Sequence, residues 1–237
     1  MKKYRVATLC SGYDSQCMAL DRIRERFPDA FDYELVAWSE IDRDAIKAHN
    51  AVYPQWKDRN LGDMTKINWE LAPDFDVLTY STPCVDISSA GKQKGLEKGS
   101  GTNSALLWYV EEAIRVKTPK YLLMENVKAL TNEKFLPYFN QWLEILEGYG
   151  YKNFYQVLDA SHYGVGQHRE RIFVVSILDK DAEYHFPESH GVTNKTIDDY
   201  LQTEVEEKYF LDQGRVENAI ANIAAQQELK NNAQYEK

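Results

Sequence analysis

The sequence predicts an α/β fold, a mainly parallel sheet covered by helices on both faces, and two observations carry that expectation. Short apolar runs alternate with segments of helical period along most of the chain. The runs themselves, such as Val6-Ala7-Thr8-Leu9, are apolar throughout, as strands buried on both faces are.

Taken in order, Val6–Leu9 is the first strand, followed by a helix with Cys17, Leu20, Ile23 and Phe27 on one face. Leu35-Val36-Ala37-Trp38 is the second strand, ending at Glu40, and Asp42 is placed to cap a helix over residues 43–49. Residues 76–80 are a third strand, and a polar stretch over 85–102 then carries Gly91, Gly95, Gly99 and Gly101. Leu106, Leu107, Val110 and Ile114 mark the next helix, and Tyr121-Leu122-Leu123-Met124 the next strand. Phe135, Phe139, Trp142, Leu143 and Leu146 form an amphipathic helix that stops at Gly148. Late strands are expected around 154–159 and 171–177, and the tail after about 213 reads as helix with a thin stripe of Val216, Ile220 and Ile223.

A chain of 237 residues holds one large core, or one core with a small appendage. No apolar run is long enough to span a bilayer, and Met1-Lys2-Lys3-Tyr4 leads straight into a strand, so a cytoplasmic protein without a signal peptide is expected. Three cysteines, Cys10, Cys17 and Cys84, fit a reducing compartment and have no metal-like pairing, so no metal is expected. The net charge of −9 argues against a broadly basic nucleic-acid surface, though not against a local one.

In a parallel sheet, ligands bind beyond the carboxyl ends of the strands, so the residues after each strand are the candidates. Cys10-Ser11-Gly12-Tyr13-Asp14-Ser15 follows the first strand; Gly12 permits a sharp turn, and Asp14 or Ser15 can cap the next helix. Glu40 closes the second strand, where a carboxylate serves either ribose hydroxyls or a solvated cap, and Gly62-Asp63-Met64 repeats the arrangement before a further strand. A dinucleotide calls for several glycines around its pyrophosphate, whereas S-adenosylmethionine, a phosphate-free sulfonium, suits one glycine with nearby carboxylates. Thr82-Pro83-Cys84 ends the next strand, and an exposed thiol there can act as a nucleophile once ionised, whereas Cys10 and Cys17 read as small buried hydrophobes. Glu125-Asn126-Val127 offers an acid or clamp beside it, or a structural ion pair. Gln167-His168-Arg169-Glu170-Arg171 places three donors on one face of an extended segment, an anion grip or a charged strand edge.

In this order the segments from about Arg5 to Ile177 resemble the C5-cytosine DNA methyltransferases of bacterial and phage type. Pro83-Cys84, Glu125-Asn126-Val127 and Gln167-x-Arg169-x-Arg171 are the most specific elements. The resemblance implies a Rossmann-like methyltransferase fold with a seven-stranded sheet and an S-adenosylmethionine site at Cys10, Gly12, Asp14, Glu40, Ile41, Asp63, Met64 and Pro83. It implies catalysis by Cys84, Glu125, Arg169 and Arg171 on a cytosine flipped out of double-stranded DNA, with residues 1–185 as the catalytic domain. The 85–102 stretch, with Lys92, Lys94 and Lys98, is then a lid over the DNA.

The chain departs from the family pattern in four places. Cys10 stands where the first motif has Phe, Asp14 where it has its second Gly, and Ile87-Ser88 where a Phe-Ser pair follows the nucleophile. Between Phe186 and Lys237 there is neither a target-recognition region nor the closing Gly-Asn motif. That pattern points to a second chain supplying both, with the helical tail 186–237 as a docking segment, or to a truncated form. The alternative activities are a transfer-RNA cytosine-5 methyltransferase and a non-catalytic subunit or decoy that keeps the fold.

Overall fold

The computed structural model describes residues 2–83 and 106–235, the side chains of 226–235 excepted; Cys84 and the 85–102 stretch lie outside the described residues. Six strands, β1 (Lys3–Leu9), β2 (Asp32–Ser39), β3 (Val77–Tyr80), β4 (Tyr121–Val127), β5 (Lys152–Asp159) and β6 (Glu170–Ile177), form one sheet. Their order is β2-β1-β3-β4-β6-β5. β1 pairs parallel with β2 and β3, and β3 with β4, whereas β6 slots antiparallel between β4 and β5. The sheet is therefore mainly parallel, with a single reversed strand.

The expected seventh strand is not formed among the described residues. Its place is taken by a single parallel bridge between Trp38 and Asn60, and Leu61 N donates to the Trp38 carbonyl at 2.7 Å. Gly62 then turns the chain at φ +74°, in the left-handed region, which ends any extended run.

Helices α1 (Ser15–Arg26) and α2 (Arg43–Val52) belong to one face of the sheet, α3 (Leu107–Lys117) and α4 (Leu136–Gly148) to the other. Alternation along the strands sorts the side chains. Ala7, Leu9, Leu78, Tyr80, Leu122, Met124, Ile172 and Val174 join Trp108, Phe139 and Trp142 in the larger core. Val6, Leu35 and Trp38 join Cys17, Tyr53 and Trp56 in the smaller one. Trp142 stacks edge-on against Trp108 and Tyr80, and its indole N–H donates to the Tyr80 hydroxyl at 3.2 Å. On the α1/α2 side, Leu123, Glu125, Arg171 and Phe173 stay half-buried, so a polar pair can sit on the sheet there.

The helix starts follow the local chemistry: Asp14 caps α1 by accepting from Cys17 N, and Asp42 caps α2 by accepting from Asp44 N and Ala45 N. The apolar face expected on α1 is buried only at its start. Cys17 is enclosed and Leu20 partly so, but Ile23 and Phe27 are exposed, because Asp21, Arg24 and Tyr33 occupy that end as a polar cluster.

The chain divides into two compact units, Met1–Thr193 and Asn194–Lys237. In the first, residues 186–193 are tied to the turn after β5 by His190 N to His162 O and Thr193 N to Ser161 O. The second holds 3-10 turns at Ile197–Tyr200 and Glu207–Tyr209, then α5 (Gln213–Tyr235), on which Val216, Ile220 and Ile223 are exposed. No described helix is long and apolar enough to cross a membrane.

β1 and β3 are bolted at their amino ends by Arg5. Its Nε and NH2 donate to the two Asp76 carboxylate oxygens at 3.2 and 3.1 Å, and its backbone N–H donates at 3.0 Å. The Arg5 hydrogen bond holds the Asp76 carboxyl below its usual range. A carboxyl whose folded-state pKa is depressed stabilises the fold above its unfolded pKa and loses that contribution as pH falls through the folded one. Asp76→Asn should thus cost about 1 kcal/mol at neutral pH, with half-exposed Arg5 screening the pair. The stability gap between the two proteins in urea melts should shrink as the pH falls below the unfolded carboxyl range of about 4 and close once it is below the folded one.

Candidate active site

The chain leaves β1 through a turn with three left-handed residues, Cys10 (φ 53°), Gly12 (φ 58°) and Asp14 (φ 68°). Gly12 adopts this conformation freely, and Asp is one of the few other residues that visit it. The turn delivers Gly12 N–H to Glu40 Oε2 at 2.9 Å. Glu40 Oε1 accepts from Ile41 N at 2.8 Å and Asp42 N at 2.9 Å. The Glu40 backbone is clasped by Asn60, whose Oδ1 accepts from Glu40 N (3.2 Å) and whose Nδ2 donates to Glu40 O (3.1 Å). Ser39 Oγ donates to Gly62 O at 2.6 Å, fastening the loop that ends at Asp63 and Met64.

These three loops and the segment after β3 enclose a cleft of about 250 Å³ at the carboxyl ends of β2, β1 and β3. That is the point where the strand order reverses around β1, the expected ligand position in an open α/β sheet. Six of the eight residues expected to bind the cofactor line it: Cys10, Glu40, Ile41, Asp63, Met64 and Pro83. Gly12 contributes its N–H to Glu40 instead. Asp14 turns its side chain inward and is fully buried, the carboxylate accepting from Thr8 Oγ1 (2.9 Å) and Cys17 N (3.3 Å) rather than lining the cleft. Ser39, Ser81 and Leu106 also line the cleft and were not foreseen. Ser81 directly follows the third strand, so the strand-end rule reaches it; the others depend on tertiary contacts.

The lining has two characters. Cys10, Met64, Pro83 and Leu106 are apolar, Cys10 Sγ lies 3.5 Å from Met64 Sδ, and Ile41 is 69% exposed at the mouth. Burial, and then the Glu40 charge, push the Cys10 thiol up to about 12, so it stays protonated and serves as a wall. Glu40 and Asp63 add negative charge, and the Asp63 carboxyl is held below its usual range chiefly by the Thr65 hydroxyl. The turn's Gly12 N–H is committed to a carboxylate rather than open to a phosphate. This donor set fits a phosphate-free, cationic molecule with an apolar ring and hydroxyl groups. Among the described residues no cluster of His, Cys, Asp and Glu could hold a metal ion.

The other half of the site is built by β4 and β6. In their register Val127 faces Arg171 and Glu125 faces Phe173, so Glu125 and Arg171 are diagonal neighbours on one face. Arg171 Nε lies 3.1 Å from Glu125 Oε1. Asn126 points the opposite way into the protein and donates to Thr82 O (3.2 Å) and Thr82 Oγ1 (3.4 Å). The strand that carries Glu125 is thereby joined to the segment that leads through Pro83 to Cys84, which itself lies outside the described residues. The sequence motif contains Asn126 but offers no sign of this role.

Arg169 is exposed. Its N–H donates to Asp159 Oδ1 at 3.0 Å, and that carboxyl, also bonded by Ser161 N–H, is held well below its usual range by these backbone donors. Gln167, Arg169 and Arg171 come together along a second, wider cleft of about 440 Å³ with Lys128 and His168.

Residues 4–237 match the family described as C-5 cytosine-specific DNA methylase. The chain belongs to this family. The type II methyltransferase M2.ScrFI of Lactococcus lactis subsp. cremoris is 44% identical over 67% of the chain and 44% of its own length. The orphan methyltransferase M.SssI of Spiroplasma monobiae is 41% identical over 62% of the chain and 39% of its own length. The chain thus spans less than half the length of these two methylases. In fold it is similar to the S. pombe Dnmt2 methyltransferase, with TM-score 0.68 and 17% identity over 93% of this chain and 66% of that one.

Asn126→Ala leaves the Thr82 carbonyl and Val127 N–H of this chain without their side-chain partner. It should lower unfolding free energy by about 1–3 kcal/mol in urea melts.

Proposed function

We propose that the chain transfers a methyl group from S-adenosylmethionine to C5 of cytosine in DNA, through a covalent adduct at Cys84. The observation that supports this most directly is the Glu125–Arg171 pair, tied through Asn126 and Thr82 to the segment that enters Cys84 and set at the sheet edge that also holds the carboxylate-lined cleft.

In this reading Glu40 takes the ribose hydroxyls, Ile41 and the apolar wall flank the adenine, and Asp63 favours the positive charge. S-adenosylmethionine supplies a methyl group activated by its sulfonium. The cytosine must be flipped from the duplex, because C6 is hidden in the stack. The Cys84 thiolate then forms a bond to C6, which pushes electron density to C5 and makes that carbon nucleophilic. Glu125 hydrogen-bonds or protonates N3, so that charge does not build up on the ring. Arg171 fixes the Glu125 carboxyl, and together with Arg169 steadies the base oxygen. After C5 takes the methyl group, with the former sulfonium leaving as a neutral thioether, water accepts the C5 proton, the C–H electron pair re-forms the C5–C6 double bond and the Cys84 thiolate is expelled from C6. Lys128, ion-paired with Glu170 at 2.8 Å, adds positive charge along the second cleft for backbone phosphates.

Duplex DNA carrying 5-fluorocytosine blocks loss of the C5 substituent, so it should trap the chain as a denaturant-stable adduct, and Cys84→Ser should abolish that band. An adduct that persists in Cys84→Ser, or forms only with transfer RNA, would overturn the assignment. Glu125→Gln keeps the shape but loses the acid; methyl transfer should fall by about 10²-fold or more with little change in melting temperature. Near-normal turnover with a large stability loss would make Glu125 a structural ion pair.

A further inference from the structure

A buried histidine behind the cofactor cleft plays no part in the chemistry above. His49, on α2, is fully buried, and its ring stacks on Trp38 with centroids 3.7 Å apart and planes 17° from parallel. Tyr53 packs against the same ring at 5.6 Å. Neither ring nitrogen makes a hydrogen bond, yet Nε2 lies 3.5 Å from Asp14 Oδ2, a close approach of two side chains with no exposure at all.

Asp14 holds the left-handed turn at the front of the cleft. It is itself left-handed, and its backbone N–H donates to Ser11 O at 2.8 Å. Two residues before it, Gly12 N–H grips Glu40. A carboxylate this deeply buried is costly unless its charge and lone pairs are matched. Thr8 Oγ1, Cys17 N and the Cys17 thiol supply neutral donors, and the His49 ring approaches the same carboxylate from across the core. Arg24, the nearby cation of the polar cluster, is spent on Asp21 and Asp32. Trp38, which fixes the His49 ring, lies two residues before Glu40, and α2 begins directly after the Glu40 turn. The His49–Asp14 contact therefore braces the two walls of the cleft against each other from behind.

We propose that His49 is a positioning residue for the cofactor: by facing the buried Asp14 carboxylate it holds the Cys10–Asp14 turn in register with Glu40. The proposal rests on the cofactor reading of the cleft given above. It also accounts for how the chain carries Asp where the family pattern has Gly. A glycine needs no support in the left-handed region, whereas a buried aspartate there needs a partner across the core.

The test is calorimetric titration of S-adenosylmethionine into the full chain and its variants. His49→Phe keeps the stacking surface but loses both ring nitrogens, and should weaken binding about tenfold. His49→Gln, which keeps a donor, should recover much of that loss. In an Asp14→Gly background, His49→Phe should cost far less, because the carboxylate that needed support is gone. A core-filling role would lower only the melting temperature and show no rescue by Asp14→Gly. If His49→Phe does not fold, His49→Gln and the double variant decide the matter by the same comparison. Wild-type binding with unchanged affinity in His49→Phe, or an equal loss in both backgrounds, overturns the positioning role alone. Absence of binding by the wild type overturns the cofactor reading, and this inference with it.

Discussion

The cleft depends on the way the Glu40 carboxylate and backbone gather three loops at one edge of the sheet. Its two oxygens accept backbone N–H groups from the β1–α1 turn and from its own turn, while its main chain is clasped by Asn60 from the loop before Met64. A carboxylate offers about four acceptor positions, so three backbone donors still leave it able to accept from a ligand hydroxyl. The same group thus builds the walls and remains available inside them. Charge-assisted bonds of this kind are stronger than neutral ones, which suits a junction assembled from three separated stretches of chain.

The candidate site has two halves, and strand direction explains their difference. The narrower cleft sits on the parallel strands β2, β1 and β3, whose carboxyl ends all open toward it. Glu125 and Arg171 come from an antiparallel pair, β4 and β6, where reversed direction brings a residue from the end of β4 beside one from the start of β6. A parallel β6 would carry the Arg171 end of the strand to the opposite edge of the sheet. Asn126 couples the halves, because the residue after Glu125 on a strand must face the other way and so reaches Thr82.

The two departures in the first motif have separate physical consequences. Cys10 puts a small half-buried thiol packed on Met64 where the family pattern has an aromatic ring, so the apolar contact in the cleft shifts toward Met64, Leu106 and exposed Ile41. Asp14 keeps the left-handed turn that a glycine would provide, but it brings a charge into the core that Thr8, Cys17 and His49 must accommodate. The backbone path of the motif is therefore kept while the side chains behind it differ.

Much of this was legible in the linear sequence, because strand runs, helix caps and strand-end residues are local signals. Asp42 and Asp14 cap where their spacing says they should, and the strand-end rule, with Ile41 added by the family resemblance, reached six of the nine residues that line the cleft. The membership in the C5-cytosine methylases was likewise carried by ordered short motifs. What the sequence could not express were facts of direction and partnership. Whether Asp14 faced the ligand or the core depended on the left-handed backbone at that residue and on Thr8 and His49, distant or unremarkable in the chain. Among the described residues, where a seventh strand would form there is a single bridge at Asn60, and Gly62 turns the chain two residues later with a positive φ. Local propensity and periodicity determined which elements form and which residues stand at their ends. Only the packing of those elements decided which way each side chain points, because burial of a charge or a hydrogen bond is settled by neighbours that come from elsewhere in the chain.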